Sequence, residues 1–190
     1  MILLTVVLGI AYPLVMTGIG QLTMPAHANG SMIQYQGKTV GSSLIGQSFT
    51  TKKGAPLPQW FQSRPSSAGN GYDALASSPS NLGPDNPVLV KAIEQRKAVI
   101  EKTYGVSASQ IPADAVTGSA SGLDPDISPA YARLQVNEIA RTRGISATKL
   151  LQLVNSKVQG RELGYLGGPT VNVVELNIAL AQLDPSGNNG

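Results

Sequence analysis

The 190-residue chain contains no cysteine, a single histidine and few charged residues. Without cysteine there is no disulfide framework, no thiolate nucleophile and no thiolate zinc site, and an oxidising exterior is permitted. His27 lies just beyond an N-terminal apolar run, so no Ser-His-Asp arrangement can be assembled within a folded domain. Charged residues make up 13% of the chain, against about 25% in ordinary soluble domains, and this poverty leans towards a membrane or an interface. The formal net charge of +3 is not gathered into any run of Lys and Arg. That argues against nucleic acid as a partner and against a polybasic membrane coat.

Other absences narrow the chemistry further. The Gly-rich stretches Ser119-Ala-Ser-Gly122 and Leu163-Gly-Tyr-Leu-Gly-Gly168 lack the Lys-Ser/Thr ending of a phosphate loop and the GxGxxG spacing of a dinucleotide fold. Asp124-Pro-Asp126-Ile-Ser128 opens like a calcium loop, but Pro129 replaces the glycine and Gln135 stands where the twelfth, acidic ligand belongs. A turn into a capped helix is the simpler account. The helix, Gly144, helix order around residue 144 carries only Lys149 and Lys157 on its second helix, which suits a packed hairpin better than DNA reading. A Ser/Lys dyad, with Ser63 or Ser66 as nucleophile and Lys52, Lys53 or Lys91 as base, is formally possible, yet no spacing selects a pair. No catalytic residue and no metal ligand is assigned.

What is present starts with Ile2 to Met24, a stretch without a charged residue. It matches the roughly 20 residues that cross about 30 Å of hydrocarbon as a helix. Thr5, Gly9, Pro13 and Thr17 recur every four residues on one face, narrow enough for close helix packing in the membrane. Pro13 removes one internal hydrogen bond and bends the helix, with Thr17 close by to serve a freed carbonyl. The alternative is a cleaved signal peptide, since Ala26-His27-Ala28 has a small-x-small pattern; the length of the apolar run and the lack of a preceding Lys or Arg favour the anchor. The low charge of residues 25–51 makes translocation easy, so the domain is expected outside the cytoplasm, on a single-pass protein of the cell membrane.

The expected architecture is α+β: a membrane helix over residues 1–24, an extended segment with short strands over 25–59, a long loop over 60–87 and a helical part over 88–190, the last three forming one soluble domain with about four helices. Turns are expected at Asn29-Gly30, Gln36-Gly37 and Lys53-Gly54. Asn86-Pro87 caps a helix with an apolar stripe of Leu89, Ile93, Val99, Ile100 and Tyr104, ended by Gly105. Ser128-Pro129 starts a second, through Val136, Ile139 and Ala140 to Gly144, with Arg141 and Arg143 in its last turn suiting the negative helix end. A third follows Ser146 and carries Leu150, Leu151, Val154 and Val158. Asn172-Val-Val-Glu175 has capping-box spacing before the nearly all-apolar stretch Val173 to Leu183, a central buried helix in which Asn177 needs hydrogen-bond partners. In the long loop, Gln62-Ser63-Arg64-Pro65 beside Trp60 and Phe61 reads equally as a recognition surface or as an arginine holding neighbouring carbonyls.

Several segments then stand in a familiar order. They are Tyr12-Pro13-Leu14, Ala28-Asn-Gly-Ser31, Gly41-Ser-Ser-Leu-Ile-Gly-Gln47, Phe61-Gln-Ser-Arg-Pro-Ser66, Ser80-Asn-Leu-Gly83, Asn86-Pro87, Val116-Thr117, Ser119-Ala-Ser-Gly-Leu-Asp124, Ile127-Ser-Pro129 and Val171-Asn-Val-Val-Glu-Leu-Asn-Ile-Ala-Leu180. Along almost its whole length the chain resembles the C subunit of the Kdp-type potassium-transporting ATPase. The resemblance implies a non-catalytic subunit without a cofactor of its own, ATP and potassium being handled by the complex. Its implied partners are a potassium-channel-like subunit and a P-type ATPase subunit, met within the bilayer and above it. Gln62, Ser63, Arg64, Asn81 and Asp124 are the candidate partner or ligand contacts. The family is described as a catalytic chaperone that raises the ATP affinity of the pump subunit. An external domain without a phosphate loop favours assembly or long-range coupling over direct contact with cytoplasmic ATP.

Overall fold

A computed structural model describes residues 1–51 and 53–189. The chain divides into two units, Met1–Leu44 and Ile45–Gly190. In the first, helix α1 runs Ile2–Thr23, 22 residues with a mean hydropathy of 2.2 and no buried residue, long and apolar enough to cross a membrane. Its ladder widens to a π turn over Val7–Ala11, where the Tyr12 N–H reaches the Val7 carbonyl. Pro13 explains the position: its ring crowds the preceding turn and it has no N–H to give, and a π turn just before it relieves both. Thr17 Oγ1 donates to the carbonyl of Pro13 itself at 2.8 Å, not to one left free by the proline, which corrects the expected role of that hydroxyl.

A helical turn, Pro25–Ala28, leads to a hairpin of β1 (Met32–Tyr35) and β2 (Lys38–Ser42). Its two-residue turn is the expected Gln36-Gly37, with φ of 50° and 75°, the left-handed pair that matches strand twist. The register shifts between Ile33 and Gln34.

In the second unit the chain is irregular up to Asn86, apart from a 3-10 turn at Ala74–Ala76. Among the described residues four helices of ten or more residues follow: α2 (Pro87–Tyr104), α3 (Pro129–Arg143), α4 (Ala147–Ser156) and α5 (Val173–Leu183). The caps are those legible in the sequence. Asn86 Oδ1 accepts from the Val88 N–H at 2.9 Å, Ser128 Oγ from Tyr131 at 3.1 Å and Asn172 Oδ1 from Glu175 at 3.1 Å; Gly105 and Gly144 end α2 and α3 in the left-handed conformation. Strands β3 (Asp126–Ile127) and β4 (Val171–Asn172) pair antiparallel and set the starts of α3 and α5 side by side. The fold is thus α+β.

The core gathers on α5 and α3, with Val173, Leu176 and Leu180 packed with Ile139, Val136, Leu150 and Val154. Burying each such side chain contributes about 1.5–3 kcal/mol. Two expected stripe residues depart from the core: Val99 on α2 is 47% exposed and Leu151 on α4 is 38% exposed. Val158 packs against the core as expected but lies beyond the end of α4, beside a bridge between Gln159 and Thr170. For Leu151 the partly buried Leu153 takes the packing role. Val99 faces a groove described below.

Candidate functional site

The segment after Trp60 passes through the core rather than over it. Backbone polar groups there cannot reach water, so something must bond them. Asn177 on α5 accepts from the Phe61 N–H and donates to the Phe61 carbonyl, both at 2.9 Å. Gln135 on α3 does the same for Gln62, accepting at 2.6 Å and donating at 3.2 Å. Two buried amide side chains thereby act as a strand edge for consecutive residues. The Tyr104 hydroxyl, whose ionisation burial pushes well above the usual range, donates to Gln135 Oε1 at 3.3 Å.

The next residues anchor the surrounding loops. Ser63 Oγ donates to the Gln47 carbonyl at 2.7 Å, and the Gln62 amide donates to the Leu57 and Trp60 carbonyls. Arg64 pairs with Asp124 at 2.7 Å and donates to the Gly118 carbonyl at 3.4 Å, so it does hold a neighbouring carbonyl. Ser66 Oγ donates to Gly122 at 2.6 Å and accepts from the Ala68 and Tyr72 N–H groups. The Tyr72 hydroxyl donates to the Arg64 carbonyl at 2.8 Å, and its pKa is pushed up to about 12, chiefly by burial, with Asp124 adding to the rise and Ser63 opposing it. Gly46 and Gly122 let these loops close: a Cβ on Gly46 would strike the Tyr72 ring and approach the Asp124 carbonyl at 2.8 Å, and one on Gly122, at φ +69°, would meet Ala68 and the Ser78 carbonyl at 2.9 Å.

Neither serine of the proposed dyad is hydrogen-bonded to a lysine among the described residues; Lys52 lies outside them. Asp124 Oδ1 accepts from the Asp126 N–H at 3.0 Å, an Asx turn into β3. Asn81 is exposed with φ 54°.

Gln62, Ser63 and Arg64 line one side of a cavity of about 480 Å3, whose other side is the Ala92, Arg96, Val99 and Thr103 face of α2. This size falls in the range of ligand clefts. Arg96 Nη1 donates to the Val116 carbonyl at 2.8 Å, and partial burial lowers its basicity.

Sequence reasoning missed Gln135, Arg96 and the inward turn of Arg143. The signal for Gln135 was available: it falls between Ala132, Val136 and Ile139 on the buried face of α3. Arg143 does not simply face the helix end. Its side chain is fully buried, stacked 4.4 Å from the Trp60 ring centre, donating to the Gln59 carbonyl at 2.7 Å and to the Asp184 carbonyl at 3.0 Å. Arg141 instead pairs with Glu138 on the surface at 2.5 Å.

The comparison with known proteins completes the picture. The family model described as "K+-transporting ATPase, c chain" matches residues 1–182. The chain belongs to this family. A protein of Kineococcus radiotolerans named "Potassium-transporting ATPase KdpC subunit" is 48% identical over 94% of this chain and 87% of its own length. Proteins of the same name from Koribacter versatilis and Streptomyces coelicolor are 46% and 44% identical, over 95% and 96% of this chain and 90% and 89% of theirs. The family is one of non-catalytic subunits of a potassium-uptake ATPase, and membership implies partners within that complex.

Proposed function

We propose that the chain is the accessory subunit that assembles and couples a high-affinity potassium pump. It is held against a potassium-channel-like subunit and a P-type ATPase subunit by α1, with its second unit outside the cytoplasm at the cell membrane. The observation that carries this reading is α1 itself, a 22-residue apolar helix with no residue buried by its own chain. Gly9 would meet nothing within 4 Å on gaining a Cβ, so the Thr5, Gly9, Pro13, Thr17 stripe is open to a neighbouring helix. Arg64, Asn81 and Asp124 stand as contacts to a partner, while Gln62 and Ser63, bonded to the Leu57, Trp60 and Gln47 carbonyls, hold the segment that presents Arg64. The rise in ATP affinity described for the family fits long-range coupling rather than nucleotide binding here, since the buried hydroxyls and amides of the core segment are committed to internal carbonyls.

Pull-down of the tagged chain from native membranes should bring down both larger subunits; recovery of the chain alone refutes the reading. Because the chain has no cysteine, Ser109→Cys at an exposed position tests sidedness. A membrane-impermeant maleimide should label it in intact cells, and labelling only after lysis would place the domain inside. N-terminal sequencing distinguishes the alternative of a cleaved, released module, which requires loss of α1 near Ala28.

A further inference from the structure

The cavity beside Arg64 does not end at α2. It shares Gly54, Pro56, Val99, Thr103 and Tyr104 with a second depression that reaches Lys53, Lys102, Glu138 and Arg141. Together they form one groove along α2, with Phe49, Val99 and Ile100 as apolar wall. Its charge is one-sided: the lining carries Arg64, Arg96, Lys53, Lys102 and Arg141 against the single carboxylate of Glu138. Arg64 is compensated by Asp124 and Arg141 by Glu138. Among the described residues no carboxylate lies within 4.0 Å of Arg96, Lys53 or Lys102.

A half-buried guanidinium that bonds only a carbonyl is an incomplete arrangement, because the fork of Arg is satisfied best by a carboxylate or another oxyanion. The uncompensated cations do not converge on a point. Arg96 lines one end and Lys102 the other, and six residues along a helix separate them by about 9 Å in axial rise. A small free anion cannot meet both. A polypeptide extended as polyproline II, with three residues per turn and about 3.1 Å of rise per residue, presents acidic side chains three positions apart on one face over that span.

We infer that this groove receives an acidic, extended segment of a neighbouring subunit, with a carboxylate on Arg96 and a second near Lys102 and Lys53. The inference rests on the reading of the chain as a subunit of a larger complex. It adds to that reading a specific site and a specific partner chemistry. Charge of this kind contributes orientation and rate of docking as much as affinity.

Carbodiimide coupling tests it, since the reagent joins a carboxylate to an amine in direct contact. The purified complex, containing the full-length chain, is treated and digested, and the joined peptides are identified by mass spectrometry. The expected result is a bond from Lys102 or Lys53 to an Asp or Glu of another subunit. In Arg96→Lys, which keeps the charge and offers an amine, a further bond to the same segment is expected. Arg96→Gln should lower the yield at Lys102 and Lys53 by about fivefold or more, given the strength of close charge pairs. Lys102→Gln, at an exposed position, should abolish its own adduct with the fold untouched. Joined peptides confined to Glu138 of the same chain overturn the inference, as do intersubunit yields no higher than at Lys149 and Lys157 outside the groove. Suppression by inorganic phosphate beyond that of chloride at equal ionic strength also overturns it, by assigning the groove to a free anion. Co-purification of the larger subunits is scored on the same samples. An intact complex without the adduct therefore refutes the groove alone, and loss of the complex from wild-type preparations refutes the broader reading.

Discussion

Replacing Asn177 by Leu keeps the number and branching of the side-chain heavy atoms and removes both bonds to Phe61, the 2.9 Å acceptor and the 2.9 Å donor. The Phe61 N–H and carbonyl are then left where water cannot follow, since Phe61 is fully buried and Asn177 is 3% exposed. Each orphaned backbone group costs about 1–3 kcal/mol, so the substitution is expected to destabilise the second unit by roughly 2–6 kcal/mol. That is a large share of the total, which for a domain is about 5–15 kcal/mol. At about 3 °C per kcal/mol for a unit of this size, the midpoint should fall by roughly 6–18 °C. Thermal unfolding of the full-length chain in detergent measures it. The emission of Trp60, the single tryptophan and the neighbour of Phe61, follows the domain while α1 stays in its micelle. A loss below about 1 kcal/mol would show that the segment finds other donors and acceptors, and would sink the account of the two amides as a strand edge.

Gly122→Ala adds a methyl group at 2.9 Å from Ala68 and the Ser78 carbonyl in a left-handed residue; overpacking and backbone strain together should cost about 2–4 kcal/mol, read from denaturant midpoints, and a neutral outcome would mean that the loops are not fixed there. A Cβ added at Gly9 meets nothing within 4 Å, so Gly9→Leu should leave the unfolding midpoint unchanged yet reduce recovery of the larger subunits; unaltered recovery removes the stripe as an interface. Tyr72 has a folded pKa raised to about 12 by burial, above the unfolded value of about 10, so its contribution to stability is complete below pH 10 and is lost as pH rises towards 12. Tyr104 and Tyr131 shift in the same direction, burial again leading. Alkaline titration should therefore show cooperative loss of structure together with late tyrosinate absorbance, and early, non-cooperative ionisation of all six tyrosines would refute the burial.

The helices were legible in the sequence because their signals are local. Asn86-Pro87, Ser128-Pro129 and Asn172 each cap within three residues of themselves, and Gly105 and Gly144 stop the chain where their φ values allow. The clamp was legible by half. A polar residue inside the apolar run of α5 announces a need for partners, but Phe61 is 116 positions from Asn177 and Gln62 is 73 from Gln135, and no periodicity encodes which distant backbone will arrive. Arg143 misled for the same reason. A cation in a last turn fits the helix end by a local rule, whereas its burial is decided by Trp60 and Asp184 from other parts of the chain.

The exposure of Val99 joins the fold to the proposed site. A helical stripe predicts burial only where another element covers it, and the chain beside α2 between residues 48 and 72 is irregular and rich in Gly, Pro and Ser, so it stands off and leaves a groove. The same gap leaves Arg96 with no carboxylate within 4.0 Å among the described residues. An apolar wall and an uncompensated guanidinium on one helix face are therefore two results of one packing choice, and a segment that covers the first while neutralising the second answers both.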